Sequence, residues 1–347
     1  MIYPNYIKMA PMAGLTGLGG GPTGLLVVGA AAGAATCTPD GSTFMGARGL
    51  FMGGTTGSQS NVIDYIGIGS TGDATDFGDL TSARAYGAAC SDGCRAVYGG
   101  GNHSPYTNIL DYVSIPTTED ATDFGDLTAA RQGLGAVSNG SRGCWSGGVK
   151  QPSETVTNII DYVAIATTGD ASDFGDMNQA RYGIAGASNG TRGIFAQGAT
   201  TTSGGGGDTL SIDYITIGST GNASDFGDLS GTARRTGSAC SNSSGRAVIG
   251  GGWLSTNNNT DTMDYVSIAS TGDATDFGDL ATARREICAV SNGTRGVWGA
   301  GKTGTGGSSA VSNVMEYVTI SSTGDASDFG DLTVSRSYSG GASGADS

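Results

Sequence analysis

The chain has 347 residues and a formal net charge of −14, with 64 glycines and only 14 % charged residues. Such an acidic, lysine-poor composition excludes the basic stripe with which a protein tracks nucleic-acid phosphates. No run approaches the ~20 apolar residues of a membrane span, and glycines without a Gly-X-Y register exclude collagen.

Residues 1–46 differ in character from the rest. Their apolar stretch, Gly24 to Ala35, is too short to cross a bilayer, and the leading segment has Pro4, Pro11 and a single basic residue, Lys8, which is a poor signal peptide. With so few charges it also makes a poor solvated tail. An extended N-terminal arm that docks on another protein is the expectation, with residues 47–347 as the folded domain.

From Arg48 onward the sequence repeats, and repeats govern a fold before motifs do. A string close to DATDFGDL carries Phe77, Phe124, Phe174, Phe226, Phe277 and Phe329, spaced 47 to 52 residues apart. Each follows an Asp-Tyr or Glu-Tyr pair holding Tyr65, Tyr112, Tyr162, Tyr214, Tyr265 or Tyr317. One arginine series follows the phenylalanines (Arg84, Arg131, Arg181, Arg234, Arg284, Arg336), and another opens the glycine-rich strings (Arg48, Arg95, Arg142, Arg192, Arg246, Arg295).

Within one unit the pattern predicts four short strands over 131–138, 142–148, 158–165 and 171–177. Asn139-Gly140 predicts a two-residue type I′ hairpin turn, which needs positive φ at both central positions. Glycine and β-branched residues with no 3.6-residue stripe disfavour helices. Four strands per ~50 residues, repeated radially, is the signature of a β-propeller. The chain ends on a lone first strand, 336–344, while its first recognisable repeat material, 48–54, is a second strand lacking its predecessor. Pairing them gives an all-β, six-bladed propeller closed by N- and C-terminal strands. The string at 34–41 faintly resembles 88–93 and competes for the same place.

The repeats resemble the kelch family. Arg131, Gly147-Gly148, Tyr162 and Phe174, with their equivalents, fill the roles of kelch's arginine, glycine pair, tyrosine and fourth-strand aromatic, with Phe replacing the usual Trp. The DATDFGDL repeats, with the string Ala10 to Gly21 (APMAGLTGLGGG), also resemble proteins of tailed, particularly marine, bacteriophages. That resemblance implies a virion component on the particle surface, with the arm contacting other virion proteins and the propeller facing outward.

Two motifs invite chemistry. The aspartates of the DxxDxxD triplets suggest calcium, but their spacing is wrong for known loops and Asn222 breaks one copy. The stronger reading pairs Asp76, Asp123, Asp173, Asp225, Asp276 and Asp328 with the repeating arginines Arg84, Arg131, Arg181, Arg234, Arg284 and Arg336 as scaffold. The six cysteines are scattered and read as small buried thiols, with a Cys90–Cys94 disulfide as the alternative. Asn139, Asn189, Asn242 and Asn292 match glycosylation acceptors but sit where a hairpin turn wants asparagine. A single histidine excludes two-imidazole mechanisms, so no metal, cofactor or catalytic residue is expected.

Individuality lies between the second and third strands, at 55–60, 102–107, 149–157, 199–209, 253–260 and 302–312. These loops should share one face, where function usually lives. They hold the candidate ligand-binding residues His103, Tyr106, Lys150, Trp253 and Lys302. The resulting expectation is a non-enzymatic phage structural protein, a tail-fibre or tail-tip adhesin that binds a host surface glycan or protein. It needs no nucleic acid and no membrane insertion, and it is compatible with a homo-oligomer. A capsid decoration protein, a glycan-processing propeller enzyme and a cellular kelch interaction module are the alternatives.

Overall fold

The computed structural model describes residues 46–202, 206–305 and 309–344. The arm over 1–46 and the competing string at 34–41 lie, apart from Gly46, outside the described residues. Every regular element described is a β-strand, and the pairing is antiparallel within each sheet.

One four-strand pattern recurs in each repeat. In the third repeat it runs Gly135–Ser138, Arg142–Ser146, Ile159–Ala164 and Ser172–Asp176, each strand paired with the next in sequence. The predicted strands are thus present but shorter, and the predicted 131–138 strand is split, with Arg131–Gln132 pairing with Val149–Lys150 in a separate small sheet. The first sheet is assembled differently. Arg48–Thr55 lies between Gln59–Gly67 and the last described strand, Gly340–Gly344, with Arg48 opposite Gly344 and Met52 opposite Gly340. The two ends of the described chain share one sheet, as the sequence predicts.

Apolar side chains pack between neighbouring sheets rather than within one. Leu50, Ile63 and Phe77 meet Tyr98, Val113 and Ile115 of the next repeat. The last sheet's Val297, Met315 and Phe329 meet Phe51, Ile66 and Ile68 of the first. Period-2 alternation on both faces of the second and third strands makes this possible, because each face of a central strand has a neighbour to cover it. Innermost strands approach closely. A Cβ at Gly186 would lie 2.2 Å from the Ala136 carbonyl oxygen of the adjacent sheet, so only glycine fits there.

Hydrogen bonds between sheets repeat around the molecule. Ser138 Oγ donates to the Ser91 carbonyl, Ser188 to Ser138, Ser241 to Ser188 and Ser291 to Ser241, over 2.5 to 2.7 Å. Ser91 Oγ donates to the Ser343 carbonyl at 2.5 Å, and the Ser291 amide donates to Ser343 Oγ at 2.9 Å. The links therefore return to the serine from which they start.

The arginine series that follows the phenylalanines is fully buried, and its carboxylate partners differ from those predicted. Arg84, Arg131, Arg181, Arg234, Arg284 and Arg336 pair with Asp111, Asp161, Asp213, Asp264, Glu316 and Asp64, the acids of the Asp-Tyr or Glu-Tyr pairs, at 2.5 to 3.2 Å. Asp76, Asp123, Asp173, Asp225, Asp276 and Asp328 are exposed instead. Strand alternation is the cause, since it turns the aspartate just before the tyrosine inward beside the guanidinium and leaves the DFGD aspartate facing solvent. Burial pulls the guanidinium pKa down at Arg131, Arg181, Arg284 and Arg336, and the adjacent carboxylate opposes that pull.

In the triplets, the leading residue does the bridging. Oδ1 of Asp120, Asp170, Asn222, Asp273, Asp325 and Asp73 accepts the backbone N–H of Asp79, Asp126, Asp176, Asp228, Asp279 and Asp331 in the preceding sheet, at 3.0 to 3.1 Å. Only an acceptor oxygen is needed, which is why Asn222 serves as well as Asp.

The sixth repeat carries a paired exception. Thr81, Thr128, Ser230 and Thr333 donate a hydroxyl, and Asn178 an amide, to the buried acid of the next repeat. Ala281 has no such donor, and its acid is the longer Glu316, whose carboxylate takes only the Ala281 backbone N–H at that end.

The second arginine series clamps neighbours together. Arg48, Arg95, Arg142, Arg192, Arg246 and Arg295 lie 4.2 to 4.6 Å over the tyrosines of their own sheets. Each also donates to an isoleucine carbonyl of the next sheet. The same tyrosines meet the repeating phenylalanines edge-on.

The hairpin prediction at Asn139 needs correction. Gly140 has φ +80°, but Asn139 is not in the left-handed region. Its side chain instead accepts the Ser141 and Arg142 amides in a four-residue connection. Asparagine is there for its oxygen. Cys90 is a buried free thiol, which excludes a Cys90–Cys94 disulfide. Burial pushes the Cys144 and Cys288 thiols up to about 12 and Cys90 well above its usual value, so none of the three is a ready nucleophile.

Candidate functional site

Two residues after each buried arginine, the backbone turns left-handed. Tyr86, Gly133, Gly183, Thr236, Glu286 and Tyr338 have φ between +58° and +73°. The amide of each donates to the carbonyl of its counterpart in the preceding repeat, at 2.6 to 3.0 Å, and the Tyr86 amide donates to Tyr338, so that these bonds also close on themselves. Beneath these residues lies a cavity of about 140 Å³, with walls of small inner-strand residues such as Ala136, Gly186 and Gly341.

The variable loops reach the same end of the molecule. The residue following each buried arginine bridges to the start of the variable loop of its own repeat: Ala85 to Asn102, Gln132 to Val149, Tyr182 to Ala199, Arg235 to Trp253, Arg285 to Lys302 and Ser337 to Thr55. The structure divides the five predicted site residues among these loops.

His103 is exposed, its Nδ1 2.7 Å from the Ala83 carbonyl oxygen. The Tyr106 hydroxyl donates to Glu154 Oε2 at 2.7 Å, and Gln151 Nε2 donates to the other oxygen. Burial, reinforced by the Glu154 carboxylate, pushes the Tyr106 phenol up to about 12. Lys150 pairs through its backbone with Arg131 and is half-buried.

Trp253 and Lys302 belong to a different group, joined by residues that motif reading passed over. Arg285 lies 4.0 Å over the Trp253 ring, and its Nε donates to Glu286 Oε1 at 2.9 Å. Lys302 Nζ is 3.1 Å from Glu286 Oε2 and 5.6 Å from the centre of the Tyr338 ring. Tyr338 in turn stacks on Tyr86 with ring centres 3.6 Å apart. A second ion pair, Arg235 with Asp208, flanks this group in the preceding repeat.

Both stacked phenols are held above their usual pKa, first by burial and then by the Glu286 carboxylate, so near neutrality they are protonated hydrogen-bonding groups rather than bases. The arrangement offers aromatic faces, fixed hydroxyls and one buried carboxylate with a cation on each oxygen, which suits recognition. A sequence signal for the missed residues does exist. Arg235 and Arg285 are the two arginines outside both periodic series, and Asp208 and Glu286 are among the few acids outside the repeats.

Compared with known proteins, the chain matches no family model and no curated sequence.

Proposed function

We propose that this chain is a six-bladed, kelch-like β-propeller, and that it acts as a non-enzymatic receptor-binding component of a phage tail. Its loop face would bind a host surface glycan or protein, and the N-terminal arm would hold it to other virion proteins. The closed circuits of serine and backbone hydrogen bonds, together with the sheet shared by Arg48–Thr55 and Gly340–Gly344, support the propeller reading. Closure of that kind removes the sheet edges that invite aggregation.

One observation carries the functional reading: the charged groups that break the period, Arg235, Arg285, Asp208, Glu286 and Lys302, all lie at the end where the variable loops emerge. A rigid repeated body with its individuality at one end is what display of a recognition surface requires. The virion assignment rests on the resemblance of the repeats and of Ala10 to Gly21.

The test is cryo-electron microscopy of purified particles, paired with adhesion of the full chain to host cells. Density for a six-sectored disc at the tail and saturable adhesion are expected. Absence of the chain from purified particles would overturn the virion reading. Adhesion unchanged by Trp253→Ala and Tyr106→Ala together would remove the loop face as the receptor surface.

A further inference from the structure

We propose that the mouth of the 140 Å³ cavity is a binding site for a single neutral, polyhydroxylated ring, a monosaccharide or the terminal unit of a glycan. The proposal rests on reading the chain as a recognition module, and it names the ligand class and the residues that take it.

Backbone conformation sets the mouth apart. All six positions around the mouth require left-handed φ, and glycine adopts it freely. In a chain with 64 glycines, only Gly133 and Gly183 use that solution. The other four positions carry two tyrosines, a threonine and a glutamate, although bulky and β-branched residues are strained there. Strain of this kind clusters at functional sites. Elsewhere in the described repeats only Gln197 and Ala300, both fully buried, replace a left-handed glycine, and neither lines the cavity. These side chains also gather on one side: Tyr86 stacks on Tyr338, and Glu286, only 5 % exposed, sits beside them. The glycines leave the opposite side open.

Volume and charge then define the ligand. An apolar cavity of about 150 Å³ holds one benzene-sized ring, so a single six-membered ring is the scale. The Glu286 carboxylate is already ion-paired with Arg285 on one oxygen and Lys302 on the other. A cationic ligand would be repelled by those two, whose summed charge exceeds that of the carboxylate by one, and an anionic one would compete with the carboxylate for them. A neutral molecule rich in O–H groups meets neither obstacle. Gln132 Oε1 and Thr236 Oγ1, on residues that line the cavity, have no hydrogen-bond partner and would accept from such groups. The stacked tyrosines supply an apolar face for the ring and polar tips for its edge.

The experiment uses the full chain, titrated with galactose, glucose, mannose and N-acetylglucosamine and followed by saturation-transfer NMR and tyrosine fluorescence. Inorganic phosphate and tetramethylammonium serve as charged probes. At least one neutral sugar is expected to bind with a Kd on the order of millimolar, and neither charged probe should bind. Glu286→Gln and Tyr86→Gly should each weaken binding by about tenfold or more. Thr236→Gly keeps the test independent of misfolding: it relieves strain, so the thermal midpoint should hold or rise while sugar binding falls.

Failure of every sugar to bind the wild type, preference for a charged probe, or a Thr236→Gly variant with raised midpoint and unchanged binding would each overturn the proposal. Host-cell adhesion without sugar binding refutes this site and leaves the receptor reading standing. Sugar binding by a chain absent from particles does the reverse.

Discussion

The periodic body and the aperiodic mouth solve opposite problems with the same repeat. In the body, each buried guanidinium meets one carboxylate, each tyrosine meets one phenylalanine, and each triplet oxygen caps one amide of the adjacent sheet. At the mouth, positions equivalent by repeat hold glycine, tyrosine, threonine or glutamate, and the backbone accepts strain to keep them. The contrast teaches that repetition here specifies how the sheets are joined, whereas departures from repetition mark where the molecule is free to become specific.

The largest test of that contrast breaks a body pair. Arg131→Met strands Asp161 without its guanidinium in a buried site and should cost about 3–5 kcal/mol in urea denaturation. Adding Asp161→Leu should recover most of the loss, since removing both charges is far less harmful than removing one. A single variant within about 0.5 kcal/mol of wild type would show that surface-like solvation reaches the pair.

The sixth repeat sharpens the comparison, because it departs from the period inside the body. Glu316→Asp alone should destabilise by about 1–2 kcal/mol, because the shorter acid retreats from Arg284 and has no hydroxyl to meet. Combining it with Ala281→Thr rebuilds the hydroxyl-to-carboxylate bond of the other repeats, and a double-mutant cycle should return a favourable coupling of about 1 kcal/mol. Additive single effects would refute the compensation.

Ser188→Ala removes one link of the serine circuit and should cost about 1 kcal/mol, measured the same way.

The smallest effect concerns pH. The Asp126 carboxyl is held above its usual pKa by burial first, then by Asp170 and Asp123. A raised acid stabilises the fold fully below its unfolded pKa and loses that contribution as pH rises. Asp170→Asn keeps the acceptor for the Asp126 amide, as Asn222 does naturally, and removes one repelling charge. The variant should gain a few tenths of a kcal/mol at pH 7 and nothing at pH 3, with the gain shrinking in salt. A loss at pH 7 would show that the carboxylate's charge itself supports the sheet junction.

These comparisons also show what the sequence could and could not yield. Spacing of the phenylalanines located the sheets that carry them, though not the small one of Arg131–Gln132, Val149–Lys150 and Thr155–Val156. The orphan strands at 48–54 and 336–344 announced their pairing. Both readings rest on period and edge chemistry. The arginine partners were misread because the DFGD aspartates repeat more conspicuously than the lone acid before each tyrosine, while burial follows strand alternation. Asn139 was assigned to backbone conformation when its side-chain oxygen does the work. The left-handed positions stayed hidden because only Gly133 and Gly183 advertise them. Tyr86, Glu286 and Tyr338 look ordinary until the backbone dihedrals are known.

Because Arg48–Thr55 takes Gly340–Gly344 as its neighbour, the earliest of the described strands to leave a ribosome must wait, one edge bare, for the last of them. The entropy of closing so long a loop grows only logarithmically and scarcely lowers final stability, but contacts this distant in sequence slow the search for the native state. Synthesis thus leaves a long interval in which an unpartnered edge is open to other chains, and chaperone dependence during translation is the consequence to look for.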